Sequence, residues 1–581
     1  MDGYRHGFWQ GNWAALTVRA TVCAAAAFAL AGCGGGGSST SPLPEARGFA
    51  AAPPGIVGLG FLPSAAGSSS GTIGSASGTA LIVAASEALL ASAPAGTLGS
   101  AALTFSVGGR APAASVRAPL ATHSGSAAGG SVVEARPSDT ARLLEQTVRL
   151  QPLAAGGLAN RIRSPQSVVA EGSTRSLWVE QLGAGATVYR ALPVVLAKLT
   201  PHGAIWVDRS LTLESTAIDS IARDFENAFA ADATHFGSSD YGANAAGLAH
   251  IYGVCDSTGN KIDGASSSEF IADPGTVDVI VANAMALGTV GGYFSAYNYL
   301  PQSIANCLGT PGDPSTIPQS NEAPTIVLGY DTTHSTAYEL DEDLVRTSGH
   351  ELEHLINFVN HVIVGGKRPE EPWIDEGLAM LAQDFAVQRL HPQLEGDVDD
   401  ALYHARVYLD APQNYSLTAF VGRDPAAAVP AFGSSGSYGA AYLFERYLYD
   451  RFGGDRYTRG MIASSSTGTT NLATTTGGSP GQIVADFAVA LAAGAQPSSD
   501  PRFRFASLDM HGTYADQFGT STTLDGPQPV AALTAGQSFG YRTPLGGCAY
   551  VEISGIGPAG VPVSVADPSG SFDLAVGVIP Q

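Results

Sequence analysis

Positive charge is scarce in this chain: 29 Lys and Arg stand against 51 Asp and Glu in 581 residues, a net charge of −22 with His neutral. That balance excludes nucleic acid as a partner, because no surplus of cations is left to neutralise phosphates. Acidity favours solubility and selects no substrate. Cysteine is sparse too, at five residues. Cys23 and Cys33 fall in an N-terminal leader, so Cys255, Cys307 and Cys548 remain for the folded part. The apolar run at 20–32, about 13 residues, is too short to span a bilayer but suits the h-region of an export signal. Gly and Ala, by contrast, are abundant, and the length leaves room for several domains and at least one large core.

Arg5, His6 and Arg19 precede the apolar run, which ends in Leu30-Ala31-Gly32-Cys33. This tetrapeptide resembles the bacterial lipobox, in which the preceding peptide is removed and the Cys becomes a lipidated N-terminus. A Gly- and Ser-rich run, 34–39, follows like a tether. Residues 1–32 are therefore expected to be a lipoprotein signal peptide and Cys33 the lipidation site. The protein would be exported and anchored at the outer membrane or cell surface, touching the membrane through that lipid only. A plain secretory peptide with a coincidental Cys is the competing reading. In such an oxidising compartment Cys255 and Cys307, which flank one segment, are expected to form a disulfide, and Cys548 to remain a buried thiol.

Residues 33–135 are dominated by Gly, Ala, Ser and Pro and read as a tether or pro-segment, interrupted by apolar patches at 56–59 and 80–83. Over 136–210, short β-like runs at 147–150, 176–179, 187–190 and 204–207 predict a small N-terminal β domain. Ile218, Ile221, Phe225 and Phe229 recur at three or four residues and predict a helix over 210–236. Residues 211–498 hold clear strands at 277–281 and 324–328 and the chemistry described next. Beyond 499, runs at 530–533, 538–541, 550–553 and 561–565 predict a C-terminal β-sandwich-like domain. The fold class expected is α+β.

The most informative residues are His350-Glu351-Leu352-Glu353-His354. On a helix turning about 100° per residue, His350 and His354 stack one turn apart on one face and reach one metal ion. Glu351 sits beside that metal rather than on it, where a carboxylate can take a proton from water. This points to a zinc hydrolase; an amphipathic helix with surface His and Glu is the bland alternative. The helix is expected to start near Thr336, where Thr336-Ala337-Tyr338-Glu339 matches a capping box followed by Asp341, Glu342 and Asp343. Leu352, Leu355 and Val359 fall opposite the histidines and are expected in the core.

A third ligand is needed. His361 shares the face but lies seven residues past His354, about 10 Å along the axis, and is out of reach. Metzincins turn the chain back with a Gly that is missing here, where Asn357 and Asn360 stand. Glu376, in Trp373-Ile374-Asp375-Glu376-Gly377-Leu378, opens a second helix behind Pro372 and is the natural candidate. Its competing reading is a helix-start acid favoured by the dipole.

Residues 350–358 together with 373–385 resemble the hyicolysin-type family of bacterial secreted metallopeptidases and, more broadly, the gluzincins, in which a Glu on a following helix completes the site. The resemblance implies a zincin-like metallopeptidase domain with Zn2+ on His350, His354 and Glu376, and Glu351 as general base. Thermolysin has an Asp four residues after its ligand Glu; Met380 stands there in this chain, leaving Asp375 and Asp384 as open candidates for orienting a ligand. Zincins line the cleft with an edge strand, for which 324–330 is the candidate and an interior strand the competing reading. The placement of Tyr438 resembles that of the oxyanion-steadying Tyr of the aminopeptidase N group, with Tyr442 second and plain packing as the alternative. No run like Gly-x-Met-Glu-Asn, which holds a substrate's free amine in aminopeptidases, occurs between 270 and 345, so an endopeptidase acting on proteins or peptides is expected. The alternative of another class is a surface binding or adhesion lipoprotein with an inactive or structural metal site.

Overall fold

The computed structural model describes residues 56–86, 100–108, 170–241, 255–260, 273–287, 291–330 and 337–581, with the pairs 161–162 and 269–270. Short interruptions break these spans, the longest being 425–430, 494–499, 516–520 and 568–573. The leader with Cys33, the β-like run at 147–150 and Thr336 lie outside the described residues.

After three two-residue strands within 56–65 come β1 (Ser68–Ile73), β2 (Thr79–Ser86) and β3 (Ser100–Val107). Their partners lie at the other end of the chain and are taken up below. Next come β4 (Thr174–Gly183), β5 (Ala186–Leu199), β6 (Gly203–Asp208), helix α1 (Ser215–His235), β7 (Val277–Asn283), β8 (Gly292–Phe294) and β9 (Thr325–Tyr330). These strands form one sheet in the order β8–β9–β7–β6–β5–β4. Strands β6, β7 and β9 run parallel, and β8 closes one side antiparallel to β9. The small β domain expected over 136–210 is thus not separate. Gly203 pairs with Val277 and Val207 with Val281, so β4–β6 are half of the sheet that supports the helices. Apolar runs without alternation fit strands covered on both faces: Ile205, Val279 and Ile326 face the helical core, whereas Trp206, Ile280 and Val327 face the other cluster.

The expected edge strand is corrected too. β9 is hydrogen-bonded on both sides, to β7 and to β8, and the edge is β8. Three residues, Gly292-Tyr293-Phe294, are too few to display a period in the sequence. The disulfide Cys255–Cys307 closes a separation of 52 residues.

The helical layer comprises α2 (Ala337–Phe358), α3 (Pro372–Leu390), α4 (Ala401–Asp410), α5 (Ser435–Phe452), α6 (Asp455–Ala463), α7 (Gly468–Thr476) and α8 (Pro480–Ala493). Leu352, Leu355 and Val359 are fully buried, as the helical period requires. Helix α3 is buried on all sides from Trp373 to Val387, which explains why its residues there are apolar or small apart from Asp375, Glu376, Gln383 and Asp384. Among the described residues no helix is long and apolar enough to cross a membrane.

The last strands are β10 (Ala531–Leu533), β11 (Ser538–Pro544), β12 (Cys548–Ser554), β13 (Val561–Ala566) and β14 (Leu574–Pro580). They do not make a sandwich alone. One sheet has the order β1–β13–β3–β11 and the other β14–β2–β12–β10. In the second, β2 lies between two partners, with Ala85 opposite both Cys548 and Ala575. Residues 56–107, inside the stretch expected to be a tether or pro-segment, therefore supply half of the sandwich. Its side chains show why: Ala80, Ile82 and Ala84 point into the sandwich core, while Leu81, Val83 and Ala85 pack on Ala485, Ala488, Val489 and Ala492 of α8. Cys548 is a buried free thiol 3.6 Å from the Tyr408 hydroxyl, and burial pushes its pKa up to about 11.

Two buried acids tie the helices together. Glu370 accepts the N–H of Gly468 and, at 2.6 Å, the side-chain amide of Asn471, and Glu445 accepts the Tyr457 hydroxyl at 2.8 Å. Burial pushes Glu370 up to about 7 and Glu445 up to about 8, from 4.5 in the open chain. A raised folded pKa gives stability that is complete below about 4.5 and lost as pH rises through the folded value, at about 1.4 kcal/mol per unit. The thermal midpoint of the full chain is expected to fall between about pH 5 and pH 8, and Glu445→Gln to flatten that decline. An equal slope in the variant would remove Glu445 as its cause.

Candidate metal centre

Helix α2 carries His350 and His354 and crosses α3 at close range. A Cβ on Gly349 would lie 2.8 Å from the Ala386 Cβ and 3.1 Å from the Ala382 carbonyl oxygen, so glycine next to His350 is what lets the helices approach. Pro372 starts α3 and sets Glu376 in its second turn, facing the two histidines. The Glu376 Oε2 lies 3.4 Å from His350 Nε2 and 3.6 Å from His354 Nε2. A tetrahedral zinc with bonds of about 2.0–2.1 Å needs its donor atoms about 3.3–3.5 Å apart, so the spacing fits that ion. That oxygen is buried and has no hydrogen-bond partner, which suits an atom kept for a metal. Of the expected ligands, all three come together. His361 does not join them: α2 continues into a π-helical turn, Val359–Val364, and turns His361 Nε2 to the Met461 carbonyl at 3.2 Å.

Burial raises the Glu376 pKa, but His354 and His350 close beside it outweigh that and hold the carboxyl down to about 2. Burial lowers that of His354, yet Asp375 and Glu376 more than reverse it and drive it well above the usual range. Both directions describe an anionic oxygen among cation-seeking donors. Glu351, 5 % exposed, is beside this group and outside it. Burial raises its pKa, whereas the two histidines and the backbone N–H of Phe294 beside it lower it. The Gly329 N–H bonds to the Gly291 carbonyl at 2.6 Å, so by alternation Gly292 and Phe294 turn their backbone groups away from β9, toward the side of β8 on which no described strand pairs.

The two tyrosine candidates separate cleanly. Tyr442 donates to Asp384 at 3.1 Å, away from the ligands. Tyr438 is 2 % exposed, and burial followed by the carboxylates of Glu376 and Glu351 pushes its phenol well above 10, which keeps it a proton donor beside the centre.

The sequence model of the family described as Peptidase M30 matches residues 233–513. This stretch is similar to the peptidase M30 family. No curated protein matches the chain. The M30 segment spans the end of α1, the edge strand β8, both ligand helices and Tyr438, and stops short of β10–β14. The hyicolysin-type resemblance read from residues 350–358 and 373–385 therefore holds.

Within the M30 segment, geometry also chooses between the two acids left open. Asp375 Oδ2 lies 3.0 Å from His354 Nδ1, whereas Asp384 pairs with Arg446. A carboxylate on the far nitrogen fixes the ring so that Nε2 faces the metal. Two features escaped the sequence. The Phe294 N–H belongs to a backbone, so no residue type announces it. Glu353, fully buried with Oε1 3.3 Å from the Asn357 amide, reads in the sequence as one more polar residue of the motif.

Proposed function

We propose that the chain is a zinc-dependent metalloendopeptidase, working outside the cytoplasm and held at the membrane through Cys33. The observation that carries this is Glu351, a buried carboxylate placed between the His350–His354–Glu376 group and the outward N–H of Phe294. A zinc ion held there supplies Lewis acidity and water acidified toward a pKa of about 7. The remaining work falls to the chain. An extended substrate adds to the open edge of β8 through the backbone groups of Gly292 and Phe294. Glu351 accepts the proton of the attacking water and later delivers it to the leaving amine. Tyr438 donates its O–H where negative charge develops on the carbonyl oxygen. An edge strand without a described partner on its outer side and the lack of an amine-holding run over 270–345 support internal cleavage. A purely structural zinc has no use for a base such as Glu351, which weighs against a mere binding lipoprotein.

The test is zinc content and casein hydrolysis by the full chain, before and after a chelator. One zinc per chain and cleavage abolished by chelation and restored by zinc are expected. Zinc bound without cleavage of casein or of varied peptides would favour the binding lipoprotein instead.

A further inference from the structure

Tyr438 is held more firmly than core packing demands. Two rings meet it edge-on: His404 of α4, with centroids 5.7 Å apart, and Phe420, at 5.1 Å. Phe420 is fully buried and has φ of +50°, a left-handed backbone that costs a non-glycine residue about 1 kcal/mol or more and is concentrated at functional sites. Helix α4 touches α5 without a spacer, since a Cβ on Gly439 would lie 1.9 Å from the His404 carbonyl oxygen. The residue next to Tyr438 is thus the one that lets His404 reach it.

His404 is itself anchored. It is 3 % exposed, and its Nδ1 lies 2.9 Å from the Asp400 carbonyl oxygen and 3.3 Å from the Asp400 carboxylate. Asp400 accepts from the Gln383 side-chain amide at 2.6 Å, and the same nitrogen reaches Asp397 at 2.6 Å. Asp397 lies 3.5 Å from Arg346, one helical turn before His350 on α2. A line of buried and partly buried polar groups therefore runs from the helix that carries both histidine ligands, through α3, to His404 and ends against the ring of Tyr438. The hydrolytic steps above use none of these groups, and neither carboxylate is near enough to the ligand atoms to join them.

We propose that His404, fixed by Asp400, is a positioning residue that holds the Tyr438 phenol at the angle from which it meets the developing oxyanion. This rests on the peptidase reading given above. A fixed donor costs no reorganisation when charge develops, and a small misplacement forfeits much of its effect. His404 acts through Tyr438 and touches no reacting atom.

The experiment is a double-mutant cycle in the full chain: wild type, His404→Ala, Tyr438→Phe and the pair, with Asp400→Asn beside them. kcat, KM, zinc content and unfolding midpoint are read for one internally quenched peptide. His404→Ala is expected to lower kcat about 10- to 100-fold with KM and zinc content unchanged, and to cost almost nothing further once Tyr438→Phe is present. Asp400→Asn should reproduce part of the kcat loss. His404→Gln, which keeps size and polarity, stands in if the alanine chain does not fold. Full loss on top of Tyr438→Phe, or a drop in zinc content or midpoint with kcat per folded, zinc-loaded chain unchanged, would overturn the proposal. A wild type that cleaves no peptide would sink the peptidase reading, and this proposal with it.

Discussion

Glu351→Gln is expected to lower peptide-bond cleavage by about 10²- to 10⁴-fold while the zinc content stays at the wild-type value. The split follows from where the residue sits. The three donor atoms belong to His350, His354 and Glu376, and Glu351 is not among them. Gln keeps the length and an oxygen beside the Phe294 N–H, so the site is expected to keep its shape. It has no basic carboxylate to accept a proton from water or return it to the leaving amine, and a positioned base contributes about that range of rate. Zinc analysis and casein hydrolysis on one preparation read both halves. Loss of zinc in Glu351→Gln would assign it to the ligand set, and retained activity would place the base elsewhere.

Removing residues 48–135 is expected to leave a chain that does not fold, because β2 is taken from between β12 and β14 and β3 from between β11 and β13. Ile73, Ile82, Leu103, Phe105 and Val107 are all buried at 1 % exposure or less. Burying one such side chain contributes roughly 1.5–3 kcal/mol. Five of them match the roughly 5–15 kcal/mol by which a whole domain is stable. The buried face of α8 would lose Leu81 and Val83 as well. Cutting the chain only within 109–160 leaves every described strand in place, so the two pieces are expected to stay together and keep the midpoint of the uncut chain. Chains starting at residue 48 and at residue 136, compared by solubility and thermal unfolding, decide the matter. A soluble, cooperatively unfolding chain from residue 136 would mean that 56–107 can be discarded as a pro-segment.

How far the sequence could be read follows from how local each feature is. His350, Glu351 and His354 share one helix, and the helical period alone places them, while Glu376 is set by Pro372 a few residues before it. Asp375 was visible as a neighbour, but only the crossing of α2 and α3 turns it to His354 Nδ1. Strand β8 carries too few residues to show alternation. The sandwich is the most distant case. β1 reads Ser-Ser-Ser-Gly-Thr-Ile, a composition usual in linkers, and nothing near Ala85 announces Cys548 as its partner. Runs such as Ala80-Leu81-Ile82-Val83 show that a strand is buried on both faces without saying what covers it. His404 hid for another reason: a lone histidine in an amphipathic helix carries no signal until Tyr438 is packed against it.

The most direct measurement is the anomalous scattering at the zinc absorption edge from crystals of the full chain grown with zinc. One peak is expected, about 2 Å from His350 Nε2, His354 Nε2 and a carboxylate oxygen of Glu376, with the Glu351 carboxylate outside bonding distance. No peak at that point, or a peak held by Glu353 and Asp375 instead, would contradict the assignment on which the proposed chemistry stands.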